Sequence, residues 1–283
     1  MIMEKKPIKK KSRAKKTQKK ARLPQLPTGD RVVAIINFNT PLLTEAAILS
    51  LRKHGGKDYD VVVFDNSRTI DYPAAGAMPA RHIESAPFTK EMEKVTVVDN
   101  TKGQIIDFQA VIDQYPDRNR AHTDCNDCGS LKHILTVQKL WELLPQGFVL
   151  MESDILLKKD IDFMFNTNQA VIGHVQLHQR GNKLDIPRLL PLLCWMNVPM
   201  LTKAGARYFD PERSWMLWPE EMDPRNWYDT GACLYADVKS HMNGLHGMHI
   251  DIRPIMVHKQ SASWNNHGLC DKTWLEIHRA LWK

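Results

Sequence analysis

The chain contains 283 residues, of which 43% are hydrophobic, and its formal net charge at pH 7 is +7. This length and apolar content allow a sizeable core, and no apolar run reaches the roughly 20 residues that a membrane-spanning helix needs. The lysines near the N-terminus are not followed by an apolar segment, so a secretory signal is not predicted and we expect a cytoplasmic protein. The five cysteines have no framework spacing, which fits a reducing compartment.

The positive charge is concentrated at the N-terminus. Residues 1–30 contain 11 Lys/Arg and 2 acidic residues, a formal charge of +9, whereas residues 31–283 contain 28 basic and 30 acidic residues, a charge of −2. Because residues 4–22 lack apolar periodicity, the sequence predicts a disordered basic tail followed by a single domain over residues 31–283. Such a tail can bind the phosphates of an anionic membrane surface or of nucleic acid, or it can simply aid solubility.

Apolar runs and helical repeats alternate along the first half of the domain. In chain order, the sequence predicts strand 32–36, helix 42–54, strands 61–64 and 95–98, helix 130–144 and strand 148–151. This alternation indicates an α/β fold with a mostly parallel sheet flanked by helices. Polar residues follow the strands, so we expect a ligand-binding edge formed by Asn39, Asp65, Asp99 and Asp154. The chain has neither a GxGxxG after the first strand nor a Walker lysine loop.

Residues 148–157 form the most informative segment, because an apolar strand ends there in two acids, Glu152 and Asp154. Residues two apart in a strand project to the same side. A buried carboxylate costs several kcal/mol unless a cation or hydrogen-bond donors compensate it, so paired acids at a strand end favour a divalent metal that carries phosphate oxygens. This indicates an enzyme of nucleotide diphosphates. The alternative is that the two acids only begin a loop, with Asp154 capping its turn.

Three further segments have open interpretations. Cys125-x-x-Cys128, near His122 and His133, is a candidate zinc or redox site, although no second cysteine pair follows at a finger or ribbon spacing. We expect a long loop at 174–191 and another strand within 192–201. The segment 215–227, rich in Trp, Pro and acids, is predicted to be a mobile lid or acceptor-binding surface, or else a packed loop.

Taken together, these segments resemble a nucleotide-sugar-dependent glycosyltransferase of the GT-A fold, closest to the family 2-like group. The segments that carry the resemblance are 32–40, 62–67, 128–133, 229–232 and 257–264, with Glu152-Ser153-Asp154 in the place of the DxD motif. The match is good over roughly 31–165 and weak beyond. The first motif acid is a glutamate, one methylene longer than the usual aspartate.

The resemblance implies a Rossmann-like GT-A sheet, with a nucleotide-sugar-binding half at 31–165 and an acceptor-binding half at 166–283. It implies a divalent metal on Asp154, His258 and Glu152, with Mn²⁺ favoured over Mg²⁺ by the nitrogen ligand. The alternative for His258 is a packed or surface histidine. Asp65 would contact the nucleoside, and Glu152 the ribose or a metal-bound water. The expected donor-binding residues are Asn37, Asn39, Asp65, Ser130, His133, Glu152 and Ser153.

The implied activity is hexosyltransferase-like transfer from a nucleotide diphosphate-sugar, with UDP favoured, to a hydroxyl of a glycan, lipid-linked or nucleic-acid acceptor. If the reaction inverts the anomeric centre, Asp229 is the first choice for the general base and Glu221 the second. The alternative for Asp229 is that it only caps a helix. Two other functions stay open, a nucleotide-diphosphate-binding module without catalysis and a nucleotidyltransferase. The latter would normally have a glycine- and lysine-rich loop after the first strand, which 37–40 is not.

Overall fold

The structure, a computed structural model, describes residues 23–54, 58–67, 70–71, 82–83, 86–115, 129–166, 168–176, 179–180, 183–184, 187–213, 230–241, 247–259 and 271–283. The strands are β1 Val32–Asn37, β2 Asp60–Asp65, β3 Ile70–Asp71, β4 His82–Ile83, β5 Val95–Asp99, β6 Phe148–Glu152, β7 Ile155–Leu157, β8 Val171–Gln176, β9 Gln179–Arg180, β10 Lys183–Leu184, β11 Arg188–Met196, β12 Gly247–His249 and β13 Met256–His258. The α-helices are α1 Pro41–His54, α2 Phe108–Ile112, α3 Gly129–Leu143, α4 Val198–Lys203, α5 Ala232–His241 and α6 Asp271–Ile277. Short 3-10 helices cover Asp162–Met164 and Arg279–Leu281. Among these described helices, none combines the length and apolarity that crossing a bilayer requires.

The main sheet has seven strands in the order β12-β8-β11-β6-β1-β2-β5. Strands β5, β2, β1 and β6 pair in parallel, and β8 and β12 run in the same direction as these four. Strand β11 runs antiparallel to both of its neighbours, β6 and β8. The predicted α/β class, with a mostly parallel sheet, is therefore confirmed. Strand β7 pairs separately with β13, antiparallel and next to the end of β6.

The strands alternate apolar side chains between two core layers. Ala34 of β1 packs in one layer with residues of α3 and α5, whereas Val33 and Ile35 pack in the other layer with residues of α1. All three side chains are fully buried, as a central parallel strand covered by helices on both faces requires. A third cluster joins α1 to β7 and α6. Packing on both faces of the sheet holds the carboxyl ends of its parallel strands in fixed positions.

All six elements predicted over 32–151 are present, and no boundary differs by more than one residue. The predicted 174–191 loop is wrong, because this stretch contains the end of β8, the two-stranded β9–β10 pair and the start of β11. Pro191 explains the error, since a residue without an N–H argues against a central strand. The register of β11 against β8 shifts between Leu189 and Cys194, so the proline lies where the ladder is interrupted. The tail segment 1–22, the cysteine pair and residues 215–227 lie outside the described residues.

Candidate active site

The polar strand ends meet at one edge of the sheet. In the strand registers, Asn37 of β1 lies opposite Asp65 of β2, Asp65 lies opposite Asp99 of β5, and Ile36 lies opposite Glu152 of β6. The carboxyl ends of four adjacent parallel strands therefore coincide, which is where open α/β sheets bind ligands. Asp99 is exposed at the outer strand, and its carboxylate accepts hydrogen bonds from the backbone and hydroxyl groups of Thr101 at 2.9 and 2.6 Å.

Two acids and a histidine converge beyond the end of β6. Glu152 is the last residue of β6, and Asp154 lies in the turn that leads into β7. Strand β13 pairs with β7 so that His258 lies opposite Ile155, and the backbone N–H of Lys259 donates to the Asp154 carbonyl at 2.9 Å. One potential ligand atom from each of Glu152, Asp154 and His258 lies within 4.8 Å of the others. The structure thus brings together the three residues predicted as metal ligands.

The charges of this triad are crowded and incompletely compensated. Asp154 is 7% exposed, and its Oδ2 lies 3.4 Å from His258 Nε2. Its buried Oδ1 has no hydrogen-bond partner among the residues that the structure describes. Burial and the repulsion of Asp154 raise the pKa of Glu152 to about 8, against the opposing fields of His258 and Arg188. Burial alone would lower the pKa of His258, but the hydrogen bond with Asp154 and the charges of both acids raise it overall. Uncompensated buried carboxylates of this kind are suited to a bound cation.

The donor atoms fit a divalent metal ion. Carboxylate oxygens suit Mg²⁺ and Mn²⁺, and an imidazole nitrogen favours Mn²⁺ of the two. Donors within 4.8 Å of one another can approach a common centre with small side-chain movements, since ligand distances for such ions are about 2.0–2.2 Å. The Oδ1 of Asp154, which has no hydrogen-bond partner in the described part of the chain, supplies an oxygen for coordination.

Two cationic or potentially cationic side chains lie near Glu152. His133 of α3 places its Nε2 3.5 Å from Glu152 Oε1. Arg188, at the start of β11, exerts the field that lowers the pKa of Glu152, and its Nε and Nη2 donate to Gln176 Oε1 at 3.0 and 2.9 Å. Sequence reasoning named His133 as a donor-binding residue but missed Arg188. Only the topology reveals it, because antiparallel β11 must begin where parallel β6 ends.

The ends of β1 and β2 form a closed hydrogen-bonded frame. The buried Asn37 side chain donates to Asp65 Oδ1 at 2.9 Å and to Ser67 Oγ at 2.8 Å, and its Oδ1 accepts from Thr44 at 2.7 Å. The Asp65 carboxylate also accepts from the backbone N–H groups of Ser67 at 2.9 Å and Phe88 at 2.7 Å. With 2% of its surface exposed, Asp65 positions the surrounding backbone. Its direct contact with a nucleoside stays a prediction.

The loop after β1 connects this frame to the triad. The backbone N–H of Asn39 donates to Ser67 Oγ at 2.9 Å, and Asn39 adopts a positive φ of 57°. Thr40 and Ser153 share a hydroxyl–hydroxyl hydrogen bond of 3.1 Å, which ties the loop to the turn that carries Asp154. Four of the predicted donor-binding residues therefore belong to one network, namely Asn37, Asn39, Asp65 and Ser153. The side chain of Ser130 lies outside the described residues.

A buried lysine lies beside the same loop. Lys132 of α3 is 4% exposed, and its Nζ lies 5.6 Å from the ring centroid of Phe38, which follows β1. A cation over an aromatic face gains roughly 0.5–2 kcal/mol, depending on its desolvation. This contact, together with that of His133, shows that the first turns of α3 face the loop and the triad. Sequence reasoning did not assign Lys132 a role, since a single lysine in a helical repeat carries no signal.

The turn before α5 packs against the start of β11. Gly231 has a φ of +79°, and a Cβ there would lie 2.0 Å from the carbonyl oxygen of Leu189. Only glycine fits so close a backbone approach at a positive φ. The turn is thereby fixed next to Arg188, on the same edge as Glu152. Thr230 is buried in this turn, whereas the predicted bases Asp229 and Glu221 lie outside the described residues.

No protein-family model and no curated protein matches the chain. Among solved structures, it is similar to the bifunctional glycosyltransferase WbbM, with 13% identity, a TM-score of 0.43 and coverage of 81% of this chain and 40% of WbbM. It is also similar to glycosyltransferase GlyE of Streptococcus pneumoniae TIGR4, with 11% identity, a TM-score of 0.41 and coverage of 87% of this chain and 59% of GlyE. For the galactosyltransferase LgtC, the identity is 9%, the TM-score is 0.42 and the coverage is 78% of this chain and 74% of LgtC. The chain thus spans less than two thirds of the length of WbbM and of GlyE.

Proposed function

We propose that the protein is a metal-dependent glycosyltransferase that moves a sugar from a nucleotide diphosphate-sugar, with UDP favoured, to an acceptor hydroxyl. The observation that carries this proposal is the convergence of Glu152, Asp154 and His258 at the carboxyl edge of the sheet. Two carboxylates that are this close and this buried repel each other unless a cation separates them. A cation at this edge can in turn bind the diphosphate of a donor, because ligands of open α/β sheets lie beyond the strand ends.

Asp154, His258 and Glu152 would hold the ion, which supplies Lewis-acid stabilisation of the negative charge on the leaving nucleotide diphosphate. The frame around Asn37 and Asp65 would orient the nucleoside end of the donor, because it fixes the loop next to the triad through the Thr40–Ser153 hydrogen bond. Such positioning contributes to the rate by holding the reacting atoms in one geometry.

In the proposed inverting reaction, the acceptor oxygen attacks the anomeric carbon from the face opposite the nucleotide. The new carbon–oxygen bond forms as the bond to the diphosphate breaks, the electron pair leaves with the diphosphate, and a carboxylate takes the hydroxyl proton. We propose Asp229 as this base, with Glu221 as the second candidate. The support is position, because Thr230 and Gly231, next in the chain, lie beside the start of β11 at the same edge.

The proposed acceptor is a glycan or a lipid-linked sugar. The basic segment 1–22 would hold the enzyme at an anionic membrane surface or, as the second candidate, at nucleic acid. The support is the charge pattern, since 11 basic residues precede a domain of nearly neutral charge. On this proposal the protein works in the cytoplasm, peripheral to the membrane.

The test is an assay of nucleotide release. The full chain is incubated with UDP-, GDP- and CMP-sugars and Mn²⁺, with and without a chelator, and released nucleotide is measured. The expected result is metal-dependent UDP release, which is lost in Asp154→Ala. Glu142→Ala serves as the control, because Glu142 is an exposed acid of α3 that pairs with Lys139 on the surface.

Other outcomes separate the alternatives. Release that is unchanged by the chelator and by Asp154→Ala would remove the metal-dependent proposal. Binding of a UDP-sugar without release would indicate a module without catalysis, whereas pyrophosphate formation from a nucleoside triphosphate would indicate a nucleotidyltransferase.

A further inference from the structure

Helix α3 is fixed to the sheet by a buried chain of hydrogen bonds. Asn100, after β5, donates from Nδ2 to Asn66 Oδ1 at 2.9 Å, and Asn66, after β2, donates from Nδ2 to Thr136 Oγ1 at 2.7 Å. Thr136 Oγ1 then donates to the carbonyl of Lys132 at 2.7 Å. Asn66 and Asn100 are at most 5% exposed and Thr136 is fully buried. Because buried amides are costly to leave unpaired, this chain of bonds holds the first turns of α3 in one position relative to the strand ends.

That position brings His133 to the first acid of the triad. His133 lies three residues before Thr136 on α3, and its Nε2 is 3.5 Å from Glu152 Oε1. The His133 side chain is 17% exposed and that of Glu152 is 25% exposed. Leu131 and Ile134, which flank the histidine in sequence, are almost completely buried in the core. The ring is therefore carried by a packed helix rather than by a mobile loop.

The contact with His133 can restrict the long and flexible side chain of Glu152. A glutamate has one more rotatable bond than an aspartate, so ordering its carboxylate for metal binding loses more side-chain entropy. An imidazole held on a packed helix at ion-pair distance, 3.5 Å, from one carboxylate oxygen removes part of that freedom before the metal arrives. Partners of this kind, which orient a ligand without touching the metal, commonly change metal affinity by about 10–100-fold.

We infer that His133 is a positioning residue, which orients the Glu152 carboxylate so that it can bind a divalent cation together with Asp154 and His258. This inference rests on the proposed metal-dependent function. On this inference α3 positions His133, because the chain of hydrogen bonds from Asn100 to Lys132 fixes the helix relative to the strand ends. His133 acts through Glu152 and does not itself bind the metal.

The test compares two amide substitutions of His133 whose side chains differ only in length. Binding of Mn²⁺ to the full chain is measured at one fixed pH by electron paramagnetic resonance for His133→Gln, His133→Asn and the unmodified protein. The longer glutamine can place its amide nitrogen near the position of Nε2, whereas the shorter asparagine cannot. We expect His133→Asn to weaken Mn²⁺ binding by about tenfold or more and to broaden the spectrum of the bound ion, and His133→Gln to recover most of the affinity. Equal affinities for both folded variants would overturn the inference.

A double-substitution cycle tests whether the effect passes through Glu152. In a Glu152→Gln background, His133→Asn should add little further loss of Mn²⁺ affinity, and an undiminished loss there would overturn the inference. Lys139→Ala, on the same helix, is the control for unspecific effects. Asp154→Ala distinguishes the role of His133 from the metal site itself. If Asp154→Ala removes Mn²⁺ binding while both His133 variants bind Mn²⁺ as tightly as the unmodified protein, only the role of His133 fails. Unchanged binding in Asp154→Ala refutes the metal site itself.

Discussion

The sheet edge has two differently built parts, which meet at β6. On the side of β1 and β2, Asn37, Asp65 and Ser67 bond to one another and to the backbone, so that both oxygens of the Asp65 carboxylate accept hydrogen bonds. On the side of β7 and β13, no described residue forms a hydrogen bond with the buried Oδ1 of Asp154, and Glu152 has a raised pKa. The first part stabilises itself, whereas the second needs a ligand. Substitutions should accordingly reduce stability in the first part and binding in the second.

The largest effect is expected for Asp154→Asn. This change keeps the side-chain shape but removes one charge from the crowded triad, so nucleotide release should fall roughly 10²–10³-fold, as for other lost electrostatic contacts to a transition state. Without metal, the repulsion with Glu152 is also relieved, and the unfolding temperature should stay the same or rise. Nucleotide release and thermal unfolding in chelator are the two measurements. A large fall in unfolding temperature with retained release would contradict the division between the two parts.

Asn37→Ala should give the opposite result for the other part of the edge. The substitution removes two donors from a buried site and leaves Asp65 with fewer partners, so we expect a loss of about 3 kcal/mol in the free energy of unfolding. Urea unfolding measures this loss. Asn168→Ala, at an exposed position, should change stability by no more than about 0.5 kcal/mol. If Asn37→Ala unfolds like the unmodified protein, the frame does not stabilise the edge.

A smaller loss of stability is expected where the frame reaches α3. Thr136→Val preserves the shape of the side chain but leaves the Asn66 amide without its acceptor, which should cost about 1–2 kcal/mol. Thr96→Val on β5 is the matched control, because valine also suits a strand. Equal unfolding midpoints for the two variants would show that the buried bonds to α3 contribute nothing to stability.

The two parts also differ in how far the sequence predicts them. Apolar runs that end in Asn37, Asp65 and Glu152 identify the parallel strands, since the periodicity of a buried strand is local. The frame around Asn37 could not be predicted, because it depends on which strands are neighbours and on their register. A strand was predicted within 192–201, but β11 already begins at Arg188. Its first residues were assigned to a loop for a related reason, as Pro191 is tolerated through a register shift that the sequence does not reveal.

The triad was predicted mainly through resemblance. Glu152 and Asp154 are two residues apart in sequence and recognisable as a pair, but His258 reaches them through the pairing of β13 with β7. Nothing local in the residues around 258 indicates that pairing. The ion-pair contact of His133 with Glu152 and the electrostatic effect of Arg188 on Glu152 likewise depend on how α3 and β11 pack, so they required the structure.

The pH dependence of stability offers a weaker test of the crowded part. Burial and Asp154 raise the pKa of Glu152 from 4.5 to about 8, and the pKa of His258 is also raised. A raised pKa in the folded state means that the contribution to stability is fully present below the unfolded pKa and is lost as pH rises through the folded pKa. The metal-free protein should therefore lose stability between about pH 4.5 and 8.

Mn²⁺ should reverse this loss, because it replaces the proton that Glu152 gives up. Its affinity should rise with pH up to about 8, by about tenfold per pH unit for each proton released. Thermal unfolding across this range, with Mn²⁺ and with a chelator, provides the measurement. Stability of the metal-free protein that rises over this range would contradict the crowding of Glu152 and Asp154.

The smallest effect on chemistry is expected from removing the basic segment 1–22, which lies outside both parts of the edge. The cut is placed before Leu23, because Leu26 packs against the core and the Pro27 carbonyl accepts a hydrogen bond from Gln146 at 3.1 Å. Nucleotide release should be unchanged, since the triad and the frame contain no residue of this segment. Binding to anionic vesicles at low salt should weaken, because each basic residue near such a surface contributes up to about 1 kcal/mol and salt screens it. Vesicle sedimentation at two salt concentrations measures this, with neutral vesicles as the control and duplex DNA as the competing anionic partner. A folded truncated protein that loses nucleotide release would instead place the basic segment within the active site.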